Sequence, residues 1–440
     1  MRPGVRSAHF PPGNYSRAIG SIRRSEDLLR VEFLCAQGAV LLATYYALRI
    51  PGFFITASDI LFGLAFFLRL CTGRLTRPFG EMTWLWIAGV AMLIGGLFVG
   101  SLVHGEMLRG AILIGQYCFA FVLVPLALLG RPIEQNIRLI KCAVWGMTLM
   151  CMIGIAVYLT GFSSAGGEQW EFVSGNRRLS GLVDNPNGMA ILIVLTIPLT
   201  WFLLLGGRMH KALALFCLGV LLTGLTLTSS NTGLLGLGVA ILIFFAGRRS
   251  FKTLLFVALA GTAIFMFGQN YLPETFNNRV LSAAKTGKIE EAGTYAHRQE
   301  LITEAIAMSD DHIVVGLGAD RYRMVSEWGQ PVHNTYLLLL VEGGALSLFG
   351  LLTIIGAALV TVLISPIRHF GGLVALTTIT IAIVFALLLN GIPHVYARGW
   401  ILPLFLALSC AMSSEVAWTR HFEPERLRRR RAGRAASAAS

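Results

Sequence analysis

Apolar residues run in long unbroken stretches along most of the chain, separated by short polar joints, with none of the strict alternation of a half-buried strand. A helix needs about 20 apolar residues to cross a bilayer. About twelve such runs are expected, at 31–49, 52–71, 83–103, 111–130, 140–160, 188–206, 211–229, 232–247, 251–268, 334–363, 372–390 and 399–414. A helix satisfies its own backbone hydrogen bonds in lipid, so the pattern predicts an all-α polytopic integral membrane protein.

Two joints, 161–187 and 269–333, are much longer than the rest, and function is expected there. The expected layout is an N-terminal tail (1–30), spans one to nine (31–268), a large catalytic loop (269–333), spans ten to twelve (334–414) and a basic tail (415–440). Within the large loop Leu301, Ile302, Ala305 and Ile306 make an apolar stripe opposite Arg298, Glu300 and Glu304, which predicts a helix lying against the membrane domain. Gly343-Gly344, inside the tenth run, suits a kink or close helix packing, or is simply tolerated there.

Composition agrees: 55% of the 440 residues are hydrophobic and 13% are charged. The net charge of +13 does not point to nucleic acid, because the basic residues sit in clusters between spans. With a cytoplasmic N-terminus, 25 of the 36 lysines and arginines fall inside, so both termini are expected in the cytoplasm and the long joints outside. The chain is therefore expected to cross its membrane many times. Its Arg-rich tail suits contact with anionic membrane lipids. The first thirty residues lack the apolar core of a cleaved signal peptide. The seven cysteines lie in or beside spans without CxxC pairing and are expected to be small buried apolar residues.

His333-Asn334-Thr335-Tyr336 stands where the large loop enters the tenth run. An imidazole there can act as a general base toward a lipid-bound substrate or merely anchor the helix at the interface. Asn185-Pro186-Asn187-Gly188 makes a turn in which Asn187 can cap the sixth span, and the preceding Arg177 and Arg178 can grip phosphate oxygens. Arg298 opens the loop helix, where the dipole disfavours a cation, so it suits either a leaving pyrophosphate or a salt bridge to Glu300 or Glu304.

Gly316-Leu317-Gly318 reads as a tight turn, since no βαβ unit follows. Asp310-Asp311-His312 reads as a solvated helix end, and no metal or cofactor is expected. His297 and His394 are competing bases with structural readings. Asp59 is taken as the main intramembrane acid, near the outer end of its span.

In this order, Arg178 with Gly181 and Asn185-Pro186-Asn187, Ser229-Ser230, Arg298, Gly316-Leu317-Gly318, and His333-Asn334-Thr335-Tyr336 with Glu342-Gly343 resemble the O-antigen ligase and O-antigen polymerase superfamily of bacterial membrane glycosyltransferases. The resemblance covers about the C-terminal 60% of the chain. It implies a GT-C-like helical enzyme using glycan on undecaprenyl pyrophosphate, with lipid A-core or another glycan as acceptor. It further implies a metal-independent inverting transfer in which His333 activates the acceptor and Arg298 holds the pyrophosphate, with Arg178, Asn187, Asn231, Asn334, Tyr336 and Arg398 as substrate-binding candidates. Asn231 departs from the family, which commonly has arginine there, so Arg178 or Arg398 supplies the missing charge or the donor is held differently. Val314 and Val315 stand where a proline is common.

A ligase moving finished polysaccharide and a polymerase joining repeat units need the same chemistry. A flippase or other transporter is the reading from a different class. Transporters keep their functional polar groups near the bilayer midplane, whereas here they gather at the outer surface.

Overall fold

The computed structural model describes residues 12–47, 49–50, 55–161, 172–183, 185–267, 272–282, 285, 295–364 and 372–413. Its helices are α1 (Pro12–Leu42), α2 (Ala57–Cys71), α3 (Thr83–Val103), α4 (Met107–Leu128, with a π-turn at Phe119–Leu123), α5 (Ile133–Thr160), α6 (Pro186–Leu205) and α7 (Lys211–Thr228). They continue as α8 (Asn231–Gly247), α9 (Phe251–Phe267), α10 (Tyr295–His312), α11 (Thr335–Ile364), α12 (Leu373–Leu388) and α13 (Arg398–Ala411).

Every expected run overlaps one of these helices, yet only seven of those described, α3 to α7, α11 and α12, are long and apolar enough to cross a bilayer. The difference from twelve is one of length and polarity. Helices α2, α8, α9 and α13 have 14 to 17 residues, about 21–26 Å at 1.5 Å per residue, short of a hydrocarbon core of about 30 Å. Much of α1 precedes the apolar run and is rich in Arg and Ser. The basic tail from 415 and the first eleven residues lie outside the described residues.

At the centre stands α6, with every residue from Met189 to Leu203 buried. It packs against α5, α7, α8, α12 and α13, so it has no face left for lipid. The most extensive pairing joins α3 to α11. Small residues permit it: a Cβ added at Gly96 would lie 2.3 Å from the Gly343 carbonyl oxygen, and one at Gly350 2.3 Å from the Leu93 nitrogen. Ser347 Oγ donates to the Leu93 carbonyl across the same seam at 2.7 Å.

Helix α11 breaks at Gly344, whose φ of 67° and ψ of −175° are open to glycine but costly for other residues. The kink expected at Gly343-Gly344 is therefore present. A break inside an apolar helix frees backbone groups that need partners. Segment 313–318 supplies them: Ala345 N donates to Ile313 O (2.7 Å), Leu317 N to Val341 O (2.9 Å) and Gly318 N to Glu342 O (2.8 Å). The expected tight turn at Gly316-Leu317-Gly318 thus forms against the broken helix, with Gly318 at φ 97°. The segment is also tied to α3 and α4. His104 Nδ1 meets the Gly316 carbonyl at 3.1 Å, Ala319 N donates to Ser101 Oγ at 3.0 Å, and Arg109 pairs with Asp320 at 2.5 Å.

The expected loop helix is α10, which packs on α11. Leu301 and Ala305 are buried with Tyr322, Val332, Leu338 and Val341, and Ile302 packs beside them. Ile306 departs from the expected stripe and is exposed. Asp310 and Asp311 are exposed at the C-terminal end of α10, which closes at His312. All seven cysteines are free, but only Cys151, Cys217 and Cys410 are buried as expected; Cys35, Cys118 and Cys142 are half-buried, and Cys71, at the end of α2, is exposed.

Asp59 is not the sole buried acid. Glu32 is buried against Arg131, and Glu342 lies buried in α11. A buried carboxylate is tolerated where cations and N–H groups surround it.

Candidate functional site

The site is built on three chain corners. The first is the stretch before α6, where Val173 and Leu179 form an isolated bridge and Leu179 N donates to the Leu227 carbonyl at 3.0 Å. Exposed Arg177 takes a left-handed turn conformation (φ 52°), and the chain then turns Arg178 inward. Arg178 Nε donates to the Thr228 carbonyl at 2.7 Å and Nη2 to Asn187 Oδ1 at 2.8 Å. Its guanidinium thus meets the C-terminal end of α7, where the helix dipole favours a cation.

The second corner joins α7 to α8. Ser229 is left-handed (φ 48°), a conformation that non-glycine residues adopt at a cost and that is often kept at functional sites. Ser230 caps α8 by accepting from Gly233 N at 3.3 Å and donates to Asn187 Oδ1 at 2.9 Å. Asn187 is therefore a junction between the first two corners. The cap of α6 comes instead from Asn185, whose Oδ1 accepts from Gly188 N at 2.8 Å. Together these bonds place Asn231 at the first position of α8.

The third corner is the entry to α11. Asn334 Oδ1 accepts from Leu337 N at 3.1 Å, and its Nδ2 donates to Asn390 Oδ1 at 3.3 Å. Thr335 Oγ1 donates to the Ile392 carbonyl and Tyr336 Oη to the Ala386 carbonyl, each at 2.7 Å. Asn334 and Tyr336 therefore fasten α11 to the end of α12, and this holds His333 in place.

A cavity of about 350 Å³ opens between the second corner, the third corner and α10, while Arg178, Asn187, Asn334 and Tyr336 do not line it. Asn231, Thr232 and Leu235 line it from α8, Arg298, Gln299 and Ile302 from α10, and Leu387, Leu388, Asn390 and Gly391 from the end of α12; His333 completes the wall. Among the described residues, no acidic side chain lines it. Arg298, Asn231 and His333, separated widely in sequence, thus share one space.

Its electrostatics follow from the cations gathered there. Burial, then the neighbouring Arg298 and His297, pushes His333 below the ordinary histidine range, while the Pro331 backbone acts in the opposite direction. His333 is consequently a neutral imidazole at pH 7, able to accept a proton. Arg178 is pushed down to about 10 by burial first and then by Arg279 and Arg298. At neutral pH it stays charged, and three guanidinium groups make this region attractive to an anion.

Glu304 and Glu300, the acids weighed as partners for Arg298, are engaged elsewhere. Glu304 accepts from Tyr322 Oη at 2.6 Å, Ser326 Oγ at 2.8 Å and Glu327 N at 2.8 Å, which clamps the 322–327 segment onto α10. Glu300 lies 3.5 Å from His297, whose ring meets Trp328 edge-on at 4.6 Å.

Arg398 is placed apart from the cavity wall. Its Nε lies 2.7 Å from Asp59 Oδ1 and its guanidinium sits over Phe119 at 4.8 Å, so its charge is matched locally. His394 packs on Tyr396 and is pushed down to about 4, chiefly by burial.

Two residues near the site belong to none of the sequence motifs. Asn390 is one, and its neighbours gave no motif. Arg279 is the other; its carbonyl accepts from Asn231 Nδ2 at 3.1 Å. A signal existed for Arg279, a cation in a joint expected outside against the positive-inside bias, just as for Arg177 and Arg178.

No curated protein matches the chain. The matched family segment starts inside α7 and ends inside α11, and it contains Ser229, Ser230, Asn231, Arg298, the Gly316–Gly318 turn and His333. Residues 213–352 match the family model described as O-Antigen ligase, so this segment, about a third of the chain, is similar to the O-antigen ligase superfamily.

Proposed function

We propose that this chain is a membrane-embedded, metal-independent inverting glycosyltransferase that moves glycan from undecaprenyl pyrophosphate to a periplasmic acceptor such as lipid A-core. The observation that carries this reading is the meeting of a neutral imidazole, His333, and a guanidinium, Arg298, across one cavity.

In the transfer, His333 accepts the proton of the acceptor hydroxyl as the oxygen attacks the anomeric carbon. The bond from that carbon to the pyrophosphate oxygen breaks with its electron pair leaving on the pyrophosphate. Arg298 stabilises this growing charge, and the field of Arg178 adds to it. Attack from the face opposite the leaving group inverts the anomeric centre. The proton then passes from His333 to water.

The apolar half of the wall, Leu235, Ile302, Leu387 and Leu388, suits the first isoprene units of the carrier. Leu235 is 61% exposed, which leaves an apolar way in from the lipid side. The asymmetric distribution of Lys and Arg supports termini in the cytoplasm and the cavity on the periplasmic side of the inner membrane.

Profiling lipid-linked and surface glycans in cells with and without the protein tests this reading and separates its variants. Long chains stranded on the carrier beside bare acceptor mean ligase. Single repeats in place of chains mean polymerase. Carrier-linked units trapped on the cytoplasmic face mean a flippase and contradict the proposal.

A further inference from the structure

Asn231 stands on the cavity wall where the resemblance leads one to expect a cation, and an asparagine brings no charge. Its amide nevertheless holds the backbone of a residue that does: Nδ2 donates to the carbonyl of Arg279 at 3.1 Å, although Arg279 itself does not line the cavity. Arg279 belongs to the π-helical turn Asn277–Leu281, which follows the short helix Glu274–Phe276. Phe276 and Leu281 are buried, and Asn277 Nδ2 donates to the Leu272 carbonyl at 3.4 Å, so the turn is held on its own apolar side chains. From the other side Thr275 Oγ1 reaches the Asn176 carbonyl at 3.5 Å, which brings the turn against the corner that carries Arg178.

Arg279 is therefore placed by two of the three corners that build the site, and its charge is felt at Arg178 together with that of Arg298. Like charges brought together lower the stability of the empty site, and an anion of high charge density relieves that cost. A pyrophosphate offers several oxygens to such a set, and the guanidinium fork matches them pairwise.

We propose that Arg279 is a phosphate-holding residue of the donor site, gripping the pyrophosphate of a polyprenyl carrier alongside Arg298 while Asn231 fixes its backbone. This rests on the reading of the cavity as a pyrophosphate-carrier site. Arg279 thereby does from a neighbouring turn what an arginine at position 231 does from the helix itself.

The test is binding of undecaprenyl pyrophosphate to the full-length protein in nanodiscs, for wild type, Arg279→Gln and the double variant Arg279→Gln/Asn231→Arg. Loss of one charge-assisted grip is expected to weaken binding about tenfold or more. Arginine at 231, on the cavity wall itself, is expected to recover most of it. Wild-type affinity in Arg279→Gln overturns the proposal, and so does a loss that Asn231→Arg fails to repair. Should Arg279→Gln fail to insert, Arg279→Lys keeps stem and charge but lacks the fork, and the same weakening and recovery are expected.

Glycan transfer in cells separates the two levels. Unchanged affinity in a variant that still transfers glycan removes Arg279 alone. A wild-type protein that does not bind the carrier removes the pyrophosphate reading and this proposal together.

Discussion

Alanine at Gly316 tests whether the large loop must dock into the break of α11 for the site to form. The added Cβ would stand 2.2 Å from the Glu342 carbonyl oxygen, 2.3 Å from its carbon and 2.5 Å from the Gly343 nitrogen. These are backbone atoms of a helix pinned against α3, so the loop must give way. Reaching an ordinary contact of 3.4 Å requires a retreat of about 1 Å. That movement breaks the Leu317–Val341 and Gly318–Glu342 backbone hydrogen bonds. At about 1 kcal/mol each, plus about 1–3 kcal/mol for the overpacking, local docking weakens by roughly 3–5 kcal/mol. Arg298 precedes this segment and His333 follows it, so both sides of the cavity move. A 1 Å misplacement of reacting groups costs about 100-fold in rate.

The assay is glycan transfer from purified lipid-linked donor in proteoliposomes, with thermal melting to show that the membrane helices remain folded. Gly316→Ala is expected to melt cooperatively and transfer about 100-fold more slowly. Val314→Ala, at a side chain 81% exposed, is expected to leave transfer unchanged. Wild-type turnover in Gly316→Ala refutes the idea that docking of this loop sets the geometry of the cavity.

Other predictions concern the charged groups. Transfer by the wild type is expected to be flat near neutrality and to fall as pH drops through the depressed His333 value, because protonation removes the base; an acid limb centred at or above 6.5 contradicts the assignment. Arg298→Lys keeps the charge that depresses His333 and so keeps that limb, but it loses the fork and is expected to slow transfer by about tenfold or more; near-normal turnover reduces Arg298 to a salt-bridge residue. Glu304→Ala removes the acceptor of three hydrogen bonds and is expected to speed hydrogen exchange over 322–327 and to lower transfer; unchanged protection there removes the clamp from the account.

The helices were legible because lipid demands long uniformly apolar runs. Their ends were less so, since they depend on local caps: α2 starts at Ala57, not at 52, because Thr56 and Asp59 form a capping box. The junction of His333, Arg298 and Asn231 in one cavity was legible from the order of motifs. The fate of Arg398 was not. Its partner Asp59 lies on a helix near the other end of the chain, and no local spacing reveals such a pair. Asn187 was read as a cap, but Asn185 takes that task and leaves Asn187 to bind Arg178 and Ser230, a choice set by tertiary contacts. Arg279 belongs to no motif, and only its place in a joint expected outside, against the positive-inside bias, marked it.

The central claim is that His333 is the base of a transfer whose leaving group Arg298 holds. The direct measurement is turnover of lipid-linked glycan by purified His333→Ala beside wild type, with donor binding measured on both. The account predicts that His333→Ala inserts, melts and binds the pyrophosphate carrier as the wild type does, but transfers no glycan above background. Transfer at the wild-type rate in that variant contradicts it.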